Sequence, residues 1–269
     1  MTPTATEEEE EEEEEAIVPQ DVVHTGSISS SVELDFAHGL AHKVYHPRRY
    51  VRLLYWLAFQ APFPYVESHA ALEAARQRRV IVDLLARYWF GHDLVADVVE
   101  VQDMPAGGHD FVTELVKGKE PPHKKQVWRF LKQLDERFLE AGLPTWQVTP
   151  YNPHAITNFI ETQDGTYRII DLESSLVACL YPVSAILRLI RAGIFPSFDD
   201  IDVSRLRAYV VGNSSRIQAS LDDGYAQLVE AITRYEKAAE EWHASERRYL
   251  PRFLRAALRI LETPRQWLH

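Results

Sequence analysis

The most constraining feature of this sequence is an order of elements: five short β-type runs and one long helical stretch precede Gly118, and nearly everything after it reads as helix. Residues 22–24, 31–36 and 41–45 read as strands parted by turn formers around Gly26 and Gly39, which predicts a three-stranded antiparallel meander. Helical segments follow over 50–59 and, after Pro62 and Pro64, from Glu67 to about Trp89. In the longer one Leu72, Val80, Leu84 and Leu85 can share an apolar face, and Arg76, Arg78 and Arg79 are expected to reach solvent. Two further strands, 94–101 and 111–116, are joined by a turn at Gly107-Gly108. Beyond Gly118, residues 124–141 carry Val127, Phe130, Leu131, Leu134 and Phe138 at three-to-four spacing, a helical pattern. Residues 145–149 and 167–170 read as short strands around a turn at Asp164-Gly165. The expectation is an α+β chain: a five-stranded antiparallel sheet with one long helix, a connector near 115–121, then a helical part holding a small hairpin.

Composition narrows the function classes. With 269 residues and 46% hydrophobic content the chain can bury a substantial core. Its formal charge of −11 comes mostly from the nine-residue run Glu7 to Glu15; without it, −11 + 9 leaves −2. Like charges in a run repel and bury nothing apolar, so residues 1–20 are expected to be a disordered acidic tail. Nucleic-acid binding is not expected, because there is no basic excess and no recognisable module. Cys179 is the only cysteine, which rules out an intramolecular disulfide and a Cys-based zinc site and points to the reducing cytoplasm. The N-terminal residues lack the basic and apolar regions of a signal peptide. The apolar stretches 51–59 and 174–190 are short or interrupted by Pro182 and Arg188, below the ~20 residues a membrane span needs. No His-Glu-x-x-His pattern occurs, and His38 and His42 flank a turn and a strand, so they are not expected to share a zinc ion. Near the C-terminus, Leu250, Phe253, Leu254, Ala257, Leu258 and Leu261 form an apolar stripe among five arginines. Residues 247–262 therefore offer either packing against the helical part or docking on an anionic membrane or acidic partner.

Four local motifs fall in order along this framework. Gly26-Ser27-Ile28-Ser29-Ser30-Ser31 lies between the first two strands, where small residues let backbone amides and hydroxyls approach an anion. Lys43 sits in the third strand, 17 residues after Gly26. Phe111 to Val116 runs out of the fifth strand into the connector. Asn158, the Asp164-Gly165 turn and Asp171-Leu172-Glu173 bracket the small hairpin with oxygen ligands suited to a hard cation.

Together these motifs resemble the protein-kinase-like superfamily, closest in style to the aminoglycoside and choline phosphotransferases and to atypical kinases. The resemblance covers about Val23 to Glu173. It implies a two-lobed fold, with residues 21–117 as a kinase-like N-lobe and 118–269 as a helical C-lobe. It implies ATP and magnesium as cofactors. Gly26, Ser27, Ser29 and Ser30 would cover the phosphates, and Lys43 would pair with them, held by a helix carboxylate, Glu73 or Glu67. Thr113 would be the gatekeeper, the backbone of Glu114 and Val116 would meet the adenine edge, and Asn158 and Asp171 would hold the metal. One departure stands out. Active relatives carry an aspartate five residues before the metal-binding asparagine, and here that position is Pro153. With one residue inserted, Asn152 takes the place, and the adjacent His154 is the only neighbour with a pKa suited to a general base. Two functions follow: an atypical phosphotransferase with an unidentified small-molecule, lipid-headgroup or protein acceptor, or a pseudokinase-type module that binds nucleotide or a partner without turnover.

Overall fold

A computed structural model describes residues 22–26, 30–45, 49, 50, 53, 65, 68–105, 107–122, 125–150, 152–173 and 201–246. The acidic tail 1–20, Ser27, Ser29, Glu67, Cys179, most of the expected helix 50–59, the apolar stretch 174–190 and the segment 247–262 lie outside them.

The expected meander forms from β1 (Val22–Gly26), β2 (Ser30–Asp35) and β3 (Leu40–Tyr45). With β4 (Val98–Asp103) and β5 (His109–Glu114) it makes one antiparallel sheet in the order β1-β2-β3-β5-β4. The β4–β5 turn runs through Gly107 and Gly108 at φ 83° and 91°, a backbone region open to glycine but strained for other residues. Because side chains alternate across a strand, β3 and β5 turn Ala41, Lys43, Phe111 and Thr113 to one face of the sheet.

The long helix α1 (His69–Phe90) is capped by the Ser68 hydroxyl, which accepts from the Ala71 N–H, and ends at Gly91 in the left-handed region. It packs along α5 (Gly224–Glu246), with α2 (Lys125–Ala141), α3 (Val203–Gly212) and α4 (Ser214–Leu221) completing the helical part. One apolar cluster extends from Tyr45 and Phe111 through Leu72, Ile81 and Leu85 of α1 to Phe138, Leu228 and Trp242. Among the described residues no helix is long and apolar enough to cross a membrane.

The sequence-based expectations need two corrections. Arg78 and Arg79 do not reach solvent: each is 2% exposed, whereas Val80 is 38% exposed. The helix is surrounded by protein on most of its circumference, and the two guanidinium groups find carboxylate and carbonyl partners that offset their burial. Residues 145–149 form a turn rather than a strand, with the N–H groups of Val148 and Thr149 both donating to the Thr145 carbonyl. Pro144 and Pro150 bracket the segment and can give no N–H to a ladder.

The small hairpin is β6 (Phe159–Glu161) and β7 (Tyr167–Ile169), preceded by a 3-10 turn, Ala155–Asn158. It is stitched to the rest at two places. Ile169 exchanges backbone hydrogen bonds with Leu94 and Ala96 just before β4, and Lys119 exchanges them with Glu161. Gly118 makes the second contact sterically feasible, since a Cβ there would overlap the Glu161 carbonyl and the Ile160 side chain. These two stitches bring the residues after β7 beneath β3.

Candidate functional site

A cleft of about 560 Å³ opens between the sheet face carrying Lys43 and the hairpin. Of the residues singled out from the motifs, it brings together Ser30, Lys43, Thr113, Glu114, Val116, Asn158 and Asp171 along its wall. These come from β2, β3, the end of β5, the connector and both sides of the hairpin.

The charged floor is built around Lys43. Its Nζ lies 2.9 Å from Asp171 Oδ1 and 3.9 Å from Glu173 Oε2. Glu173 is fully buried and is gripped by Arg79, whose Nε and Nη2 donate to its two carboxylate oxygens at 2.9 Å each. The same guanidinium donates to the carbonyls of Ala96 and Ile170, and Arg78 donates to that of Leu172. The fork of Arg79 thus ties α1, the segment before β4 and the strand leading to Asp171 into one unit. Three cations, Lys43, Arg78 and Arg79, face two carboxylates, Asp171 and Glu173, so the floor carries a positive excess suited to an anion.

Burial works against ionising Glu173, but the Arg79 guanidinium overrides it and holds the carboxyl down at about 2. Asp171 goes the other way. Burial pushes its carboxyl above the ordinary aspartate value, Glu173 adds like-charge repulsion, and Lys43 only partly offsets them. Burial likewise opposes charging Arg79, and Glu173 more than compensates, raising its pKa.

Asn158 is positioned by Gln147, whose main-chain and side-chain oxygens both accept from the Asn158 Nδ2, at 2.8 and 3.1 Å. Gln147 in turn donates to the Glu173 carbonyl. The N–H of Ile170 donates to the Asn158 carbonyl, extending the hairpin ladder by one bond and setting Asn158 beside the Asp171 strand. At the other end of the cleft the Glu114 N–H donates to the Asp97 carbonyl, and its side chain pairs with Arg168. What Glu114 offers a ligand is therefore its main-chain carbonyl.

Three of the expected residues are not brought to the cleft wall. Glu73 accepts from Gln77 Nε2 at 2.7 Å and lies 3.9 Å from Arg76, so it is not the carboxylate that holds Lys43; Asp171 and Glu173 are. Arg79 is six positions after Glu73, which puts them ~120° apart around the helix. Asn152 is 2% exposed and occupied with its own loop: its Nδ2 donates to the Trp146 carbonyl and its Oδ1 accepts from the His154 N–H. His154 is exposed and leads into the 3-10 turn, with its carbonyl accepting from Thr157. Gly26 pairs with Ser31 at the end of β1.

Arg79, Arg78 and Gln147 were not singled out from the motifs, and Glu173 entered only as the last residue of Asp171-Leu172-Glu173, without a role of its own. The available signal was the adjacent arginine pair midway along a helix with an apolar stripe, together with an acidic residue two positions after Asp171. No protein-family model matches the chain, and no curated protein sequence does.

Proposed function

We propose that the cleft is a magnesium–nucleotide site and that the chain is an atypical, kinase-like phosphotransferase with a small-molecule, lipid-headgroup or protein acceptor. One observation carries this reading: Lys43 and Asp171 meet at 2.9 Å on the floor of a 560 Å³ cleft that Asn158 also lines. In kinase-like sites the strand lysine contacts phosphate and the aspartate holds the metal, so this pair would separate into those two roles on entry of an ATP complex. The volume falls within the roughly 300–1,000 Å³ typical of small-ligand sites.

The residues suit magnesium. Asp171 and Asn158 supply hard oxygen donors, and the Asp171 carboxylate is held above its ordinary pKa, so a divalent cation would relieve its unfavourable charge. Bound there, the ion would shield the charge of the phosphates. Lys43 would contribute the fixed positive group, and the Arg79–Glu173 clamp would keep both in register. Thr113 and the main chain of Glu114 and Val116 would border the base.

Binding without turnover is the second reading, and a specific observation favours it: the amide at the expected base position, Asn152, is sequestered in its loop, and His154 does not line the cleft. One experiment separates the two. ATP with magnesium at ~100 times its Kd should stabilise the native chain by about 2.7 kcal/mol, a rise of several degrees in Tm. Asp171→Asn should abolish the magnesium-dependent part. No shift in the native chain would remove the nucleotide from both readings and leave only a partner-binding module. A shift without ATP consumption across an acceptor screen would select the second.

A further inference from the structure

At the opposite end of α1 from its contact with Gly91, three metal-ligating side chains converge that the motifs do not connect. His69 is the first residue of α1, Asp103 the last of β4 and His109 the first of β5. Asp103 and His109 are directly paired across the β4–β5 ladder, and α1 brings His69 over them. His69 Nδ1 lies 3.2 Å and His109 Nδ1 2.8 Å from the same oxygen, Asp103 Oδ1. One ligand atom from each residue lies within 4.8 Å of the others, and the two rings meet edge to face, 5.7 Å between centroids, rather than stacking.

We propose that His69, Asp103 and His109 bind a zinc ion, at a site separate from the cleft. Two imidazole nitrogens and one carboxylate oxygen from three rigid elements make a set that zinc favours and magnesium or calcium, which prefer all-oxygen shells, does not. At zinc–ligand distances near 2.0–2.2 Å, tetrahedral ligands stand ~3.3 Å apart. The observed 3.2 and 2.8 Å separations need only a small adjustment to reach that spacing. Asp103 and His69 are largely exposed, which leaves room for a water or an incoming group as the fourth ligand. The ion ties the start of α1 to the β4–β5 hairpin. Arg79 lies ten residues further along the helix, ~15 Å away, so zinc anchors the helix that positions Glu173.

The test uses the full-length, tag-free chain and zinc at buffered free concentrations. The native protein is expected to take up one zinc per chain. Losing an outer-shell partner typically costs 10–100-fold in affinity, so His69→Ala and Asp103→Asn, which remove ligands themselves, should each weaken binding by ~100-fold or more. The run Glu7 to Glu15 also attracts cations, so the comparison between native and variant chains decides, not total metal. Cobalt in place of zinc gives an independent readout: the visible absorption of a four-coordinate, nitrogen-ligated ion in the native chain, absent from both variants. Equal zinc affinity in native and variant chains would overturn the proposal by placing the ion elsewhere. No stoichiometric uptake by the native chain would overturn it too, and the cluster would then be a pair of histidine–aspartate hydrogen bonds.

Discussion

Glu173 is the residue on which the charged floor depends, and its protonation makes a sharp claim about acid stability. Its carboxyl falls from 4.5 to about 2 in the folded chain, which corresponds to ~3 kcal/mol of stability. Because the folded value is depressed, that contribution is complete above about 4.5 and is lost as the pH falls through about 2. Asp171, raised in the folded state, runs oppositely: its ionised form costs stability at neutral pH, and protonation relieves that cost as the pH falls. Glu173→Gln leaves Arg79 buried without its counter-charge and should cost about 3–5 kcal/mol near pH 7. The variant should also lose the acid-dependent decline that urea titrations of the native chain are expected to show between about pH 4.5 and 2; an unchanged decline would mean that another carboxylate governs it. Asn152→Asp, which puts an aspartate where the sequence resemblance leads one to expect it, should not raise turnover. It replaces a donor to the Trp146 carbonyl with an acceptor in a buried place, a change expected to cost about 1–3 kcal/mol. Melting and ATP-consumption assays on that one variant check both halves of the statement.

At the scale of elements, the site depends on how the hairpin is fastened under the sheet, and Gly118 is the narrowest fastening. A methyl group there meets the Glu161 carbonyl, which is backbone and cannot swing aside, as well as Ile160. Gly118→Ala should therefore destabilise by about 1–3 kcal/mol, as overpacking does elsewhere, and weaken the proposed nucleotide binding because Ile160 lines the cleft. Melts with and without ATP and magnesium read both effects. Much of this organisation was legible in the sequence because it is set locally. The turns at Gly107-Gly108 and Asp164-Gly165 fix two hairpins, and alternation along β3 fixes which way Lys43 points. The rest is set by distant partners. Nothing near Arg79 in sequence reveals that its carboxylate lies 94 positions away, so an arginine beside an apolar stripe reads as solvent-facing. Glu73 reads as the lysine's partner because it is central in the helix, but the helix rotation that buries Arg79 turns Glu73 toward Gln77 and Arg76. The segment 145–149 has strand-like composition, yet its flanking prolines and the demand for Gln147 under Glu173 make it a turn.

At the scale of the whole molecule, α1 is the element that links the sheet, the cleft floor and the helical part. Its start faces the β4–β5 hairpin through His69, its middle grips Glu173 through Arg79, and its length packs on α5. A helix so placed can do one of two things: hold the fold together, or also set the geometry of the cleft. Two substitutions distinguish these roles. Leu85, fully buried in the apolar cluster, should cost about 2–5 kcal/mol as Leu85→Ala, since it removes packing and nothing polar. Arg79→Lys keeps the charge but loses the two-pronged grip on Glu173 and the bonds to Ala96 and Ile170. If α1 sets the cleft, both variants melt earlier in the absence of ligand, but they respond differently to ATP and magnesium. Leu85→Ala keeps the native increment in Tm, because its loss lies away from the floor. Arg79→Lys loses most of the increment, because Asp171 is no longer held opposite Lys43 by the buried clamp. Equal increments in the two variants would show that the helix supports the fold alone and that Lys43 and Asp171 find each other without it.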